Sequence, residues 1–132
     1  MCATKTSDVA ATVAQARALT AAGAAVVRIA VDNAREAQSL PAIRERSGAT
    51  LSVDLQENYR LAEPIAPWVD KIRYNPGHLY HHEPQRAWQD KVRWLADVAA
   101  RHEIAMRIGV NCGSVDPATR DRFAPGDVFG PM

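Results

Sequence analysis

Four short apolar runs alternate along this chain with segments of helical spacing, and that alternation is the tightest restriction on what it can fold into. Thr6-Ser7-Asp8 is a helix-start signal, and Val9, Val13, Ala16, Leu19 and Ala22 then recur at helical intervals over residues 8–22, with Gly23 as the stop. Ala24-Ala25-Val26-Val27-Arg28-Ile29-Ala30-Val31 is nearly continuous and reads as a strand buried on both faces. Asp32 or Asn33 caps a second helix through Arg46, with Ala37, Leu40 and Ile43 inward, Pro41 inside it and Gly48 at its end. Thr50 to Asp54 is a second strand. A poor helix over 57–66 follows, spoiled by Pro64 and Pro67, and Lys71 to Asn75 is a third strand closed by Pro76-Gly77. The strongest helix runs from Pro84 to His102, with Trp88, Val92, Leu95 and Ala99 on one stripe and Trp94 off it, at an interface. Ile104 to Asn111 is the fourth strand. The last residues form a loose tail, so the expected division is 1–116 and 117–132.

Helix and strand alternating in this way predict an α/β fold with a parallel sheet. Four strands are an arc of a (β/α)₈ barrel or part of an open sheet. A whole barrel takes about 250 residues, so at 132 residues any barrel here is partial. The phosphate loops GxGxxG and GxxxxGK[ST] do not occur. A net charge of +1 argues against a nucleic-acid binder, and no apolar run approaches a bilayer's requirement. Cys2 and Cys112, the two cysteines, read as reduced thiols of a cytoplasmic chain, with Cys2 exposed at the terminus. His78, His81 and His82 have Glu83 as their only close carboxylate and read as solvent-facing loop residues rather than a metal site.

The residues that invite chemistry sit near strand ends. Arg28, Arg73 and Arg107 each lie within an apolar run, two runs end in Asn75 and Asn111, and a further one ends in Asp54. In α/β sheets the ligand crevice lies outside the carboxyl ends of the strands. An arginine inside a buried strand is costly unless an anion or carboxylate meets it. Three such groups at one mouth make an anion site, to which asparagines donate and in which an aspartate accepts from hydroxyls.

These stretches also carry a resemblance. Thr4-Lys5-Thr6-Ser7-Asp8 with Ala11-Thr12 and Gln15, Val27-Arg28-Ile29-Ala30-Val31, Asp54 with Tyr59-Arg60-Leu61-Ala62, Arg73-Tyr74-Asn75-Pro76-Gly77, and Arg107-Ile108-Gly109-Val110-Asn111 occur in order. Together they resemble the 4-hydroxy-3-methylbut-2-enyl diphosphate synthases of the methylerythritol phosphate route to isoprenoids. The resemblance implies a TIM-type barrel binding methylerythritol cyclodiphosphate at its mouth, and a [4Fe–4S] cluster fed by ferredoxin or flavodoxin that opens the ring reductively. It implies Arg28, Asp54, Arg73, Asn75, Arg107 and Asn111 as substrate-binding positions.

The family's cysteine-bearing cluster domain has no counterpart in this sequence, Gln56 stands where relatives carry histidine, and Tyr74 stands for isoleucine. The expectation is therefore a shortened member that keeps part of the diphosphate mouth, has no cofactor of its own and is inactive alone. The alternative is a non-catalytic anion-binding or assembly module that pairs with a second copy or a complementary chain through open edges at 24–31 and 104–110.

Overall fold

The computed structural model describes residues 1–55, 58–110 and 122–124. Its order is α1 (Val9–Ala21), β1 (Val27–Val31), α2 (Ala34–Ser47), β2 (Leu51–Leu55), α3 (Ala62–Ile65), β3 (Lys71–Tyr74), α4 (Trp88–Arg101) and β4 (Ala105–Ile108). The strands form one parallel sheet in the order β1-β2-β3-β4. Consecutive parallel strands joined through helices are the arrangement of an arc of a TIM-type barrel.

Local chemistry sets the element ends. Asp8 caps α1 by accepting from the Ala11 amide at 3.1 Å, and Asn33 caps α2 through the Glu36 amide at 3.0 Å. Gly48 closes α2 at φ +64°, a conformation that only glycine adopts without strain. The expected 57–66 helix is broken into a 3₁₀ turn at Tyr59–Leu61, the four-residue α3 and a second 3₁₀ turn at Ala66–Trp68, as its prolines require. Helix α4 starts four residues later than Pro84, because Glu83 takes φ +53° and turns the chain first.

One face of the sheet carries the core. Val27, Ile29, Val31, Leu51, Val53, Leu55, Ile72 and Tyr74 are buried with Val13, Ala16, Leu40, Ile43, Ile65, Leu95 and Val98 of the helices. Strand β1 is therefore buried on one face only, and residues 24–26 lie outside it, with Val26 exposed. The two-sided burial expected from its apolar run does not occur, since helices cover a single face. The stripe expected on α4 is seen at Val92, Leu95 and Ala99, and Trp88 alone departs from it. Lys91, Leu95, Val98 and Ala99 point inward, Trp88 is exposed, and Trp94 packs on the core edge-on to Tyr59 at 5.4 Å. Lys91 is accommodated because its ammonium donates to the Leu79 and His82 carbonyls at 2.6 Å each.

The two edges differ. Along β1 the Arg28 carbonyl accepts from the Cys2 amide at 2.8 Å and the Ala30 carbonyl from the Thr6 hydroxyl at 2.6 Å. This N-terminal strap is fixed to α1 by Gln15, whose side-chain oxygen accepts from the Ala3 amide, and by Thr12, which bonds the Thr4 hydroxyl. Cys2 is consequently buried, not exposed, and burial pushes its thiol pKa up. On the opposite side of the sheet, β4 is largely exposed, with Ile108 and Val110 in contact with solvent.

Candidate functional site

Sheet register gathers the strand-end residues. Ala30, Asp54, Arg73 and Arg107 are successive Cα partners across the four strands, so their side chains share one face. Residues two positions away share it too. Arg28 lies one step back on β1, in the row of Ser52, Lys71 and Ala105. This is the face opposite the helix-covered core. Asn75 follows β3 at its carboxyl end, 3% exposed, and its side-chain oxygen accepts from the Gly77 amide at 2.9 Å. Asn111 lies outside the described residues.

Asp54 is the centre of the arrangement. Its carboxylate is nearly buried, and it accepts from Arg73 Nη1 at 2.8 Å through Oδ1, while Oδ2 lies 3.9 Å from Arg28 Nε. One carboxylate thus faces two guanidinium groups. Among the described residues Arg107 makes no hydrogen bond or ion pair. The face therefore holds Arg28, Lys71, Arg73 and Arg107 against Asp54, an excess of positive charge directed at a surface that no described helix covers. Lys71 escapes notice in the sequence because it opens its strand, and only the two-residue period places it beside Arg73.

A [4Fe–4S] cluster needs four ligands. Cys2 is the one cysteine among the described residues, and no group of three His, Cys, Asp or Glu residues there is placed to hold a metal ion. The described residues do not fit the cluster, and no redox step is derived from them. What the face supplies is binding and orientation of an anion.

A second polar cluster ties the turn after β2 to the segment before α4. Glu83 accepts from the Tyr59 hydroxyl at 2.6 Å and from Arg60 at 3.1 and 3.3 Å, and Arg60 lies over the Trp94 ring. Arg86 donates to the Tyr59 hydroxyl at 3.1 Å. His82 lies 3.8 Å from Glu83 and meets Tyr59 edge-on, so it joins this cluster while remaining part exposed, and His81 is exposed as expected. The Tyr59 and Arg60 hydrogen bonds hold the Glu83 carboxyl at a pKa of about 2. A depressed carboxylate pKa adds stability above the unfolded value, and that stability is lost as pH falls toward the folded one. Glu83→Gln is therefore expected to lower the thermal midpoint above about pH 4.5. The gap to the unmodified chain should close between there and pH 2. A gap that persists unchanged at pH 2 would show that the charge does not matter.

Comparison with known proteins agrees with this frame. A family model described as the GcpE TIM-barrel domain matches residues 1–127. A 4-hydroxy-3-methylbut-2-en-1-yl diphosphate synthase (flavodoxin) of Rhodopirellula baltica is 59% identical over 132 residues, all of this chain and 35% of that protein. Proteins of the same name from Bacillus licheniformis and Idiomarina loihiensis are 39% and 36% identical, over 93% and 91% of this chain and 32% and 31% of theirs. The chain spans about a third of the length of these curated relatives. With its four parallel strands in consecutive order and this match along nearly its whole length, the chain belongs to the GcpE TIM-barrel family of 4-hydroxy-3-methylbut-2-en-1-yl diphosphate synthases.

Proposed function

We propose that this chain is a diphosphate-holding part of a synthase barrel, and that its ligand is methylerythritol cyclodiphosphate. The observation that carries the reading is the in-register row of Asp54, Arg73 and Arg107, with Arg28 beside it, on the face that no described helix covers. Guanidinium groups match phosphate oxygens with two parallel hydrogen bonds, each charge-assisted. Arg28, Arg73 and Arg107 take the diphosphate, with Asn75 and Asn111 completing the set, and Asp54 holds two of the forks apart and accepts from hydroxyls. The reductive ring opening requires electrons, which reach the whole enzyme through flavodoxin or ferredoxin and a [4Fe–4S] cluster. This chain contributes substrate binding alone and falls short of turnover. No helix among the described residues is long and apolar enough to cross a membrane, so the site is not tied to a bilayer by a described helix.

The test is calorimetric titration with pyrophosphate and then with the cyclic diphosphate. Saturable binding is expected, weakened about tenfold or more in Arg107→Ala, the loss of one charge-assisted contact. Binding that is indifferent to Arg107 would sink the reading. A second reading, self-association, is favoured by the exposed β4 edge with Ile108 60% and Val110 53% exposed. Absence of any phosphate effect, together with a solution mass well above 14.4 kDa, would support that reading instead.

A further inference from the structure

Gly109 follows β4, and its amide donates to the Tyr74 carbonyl at 2.8 Å, which pins its backbone against β3. The Arg73 guanidinium lies directly over its α carbon. A Cβ built at this position would stand 2.5 Å from Arg73 Cζ, and closer still to Nε and Nη2. Carbon atoms in contact sit about 3.5–4.0 Å apart. The backbone of Gly109 is not in the left-handed region, whereas Gly23 and Gly48 are. Alanine is thus compatible with the main chain at 109, and the three atoms nearest to its methyl group would all lie at the far end of one flexible side chain.

We propose that Gly109 is a positioning residue for anion binding: its missing side chain leaves the seat in which the Arg73 guanidinium rests against Asp54. The inference rests on the anion-binding reading and adds the residue that fixes its central fork. Asp54 holds the guanidinium from one side at 2.8 Å, and its Nε, Cζ and Nη2 occupy the space that a side chain at Gly109 would fill. With both in place the fork is already oriented when a ligand arrives, and little side-chain freedom remains to be lost on binding. A methyl group at 109 expels the guanidinium, breaks its bond to Asp54, and leaves that carboxylate facing only Arg28 at 3.9 Å.

A double-mutant cycle between Gly109→Ala and Arg73→Ala tests this, read by pyrophosphate titration and by thermal unfolding without ligand. Gly109→Ala alone is expected to keep the far-ultraviolet circular dichroism of the unmodified chain and to weaken pyrophosphate binding about tenfold. In the Arg73→Ala background the same substitution should change neither affinity nor midpoint further. Equal effects in the two backgrounds, in either readout, would overturn the inference, as would unchanged binding in Gly109→Ala. If Gly109→Ala fails to fold, the double variant should fold again, because the obstructing group is gone. Failure of both would show that something other than Arg73 needs the glycine. If the unmodified chain binds no pyrophosphate, the anion reading falls by itself. The unfolding midpoints still decide the seat, since additive changes reject it and coupled changes support it.

Discussion

Arg73→Ala is expected to weaken pyrophosphate binding by roughly ten- to a hundredfold, the span of a charge-assisted hydrogen bond to a charged ligand. Arg73 has the most enclosed guanidinium of the mouth, with 20% of its side chain exposed against 41% for Arg28. Lower exposure means a lower local dielectric and a stronger field at the ligand. The substitution also strands Asp54. Its side chain is 10% exposed and keeps only Arg28 at 3.9 Å, so a stability loss of about 1–3 kcal/mol accompanies the binding loss. Chemical denaturation and titration on the same sample separate the two effects. A variant that binds like the unmodified chain would show that the anion sits elsewhere.

Leu40→Ala should cost about 2–5 kcal/mol and lower the thermal midpoint on the order of 10 °C. Leu40 is fully buried on α2, in the cluster that holds the helices to β1 and β2. Removing its three outer carbons forfeits their transfer energy and leaves a void between layers that meet along a single face. The loss is a large share of a domain stability of roughly 5–15 kcal/mol. Arg35→Ala on the exposed side of the same helix is the control, expected within about 0.5 kcal/mol of the unmodified chain. Equal midpoints for the two variants would mean that α2 is not packed on the sheet.

Short-range signals made much of this architecture legible. Capping by Asp8 and Asn33, the stop at Gly48 and the inward set Ala37, Leu40 and Ile43 depend on neighbours within a few residues, and each lies where its local chemistry placed it. On α4 the stripe of Val92, Leu95 and Ala99 was legible, but its first place was not: hydrophobicity points to Trp88, while the buried position goes to Lys91, whose ammonium finds two carbonyls of the segment before the helix. Burial of Cys2 was hidden for the same kind of reason, since it depends on a main-chain bond to Arg28 twenty-six residues on. At the mouth, the residue types were readable from strand ends, but their alignment was not. Register is a tertiary property, and it alone places Asp54 between β1 and β3 and brings Gly109 under Arg73. Glu83 was legible as the carboxylate beside the histidines and not as the partner of Tyr59 and Arg60, because those sit on a turn more than twenty residues earlier.

The strap of residues 2–6 along β1 has a consequence for growth. A sheet with two bare margins can add copies without end, margin to margin, as a ribbon. Here the acceptors at Arg28 and Ala30 are already taken, so among the described residues the β4 margin is the more open of the two. Joining two identical β4 margins head-on uses both, and the strap then leaves β1 with fewer free acceptors for a further copy.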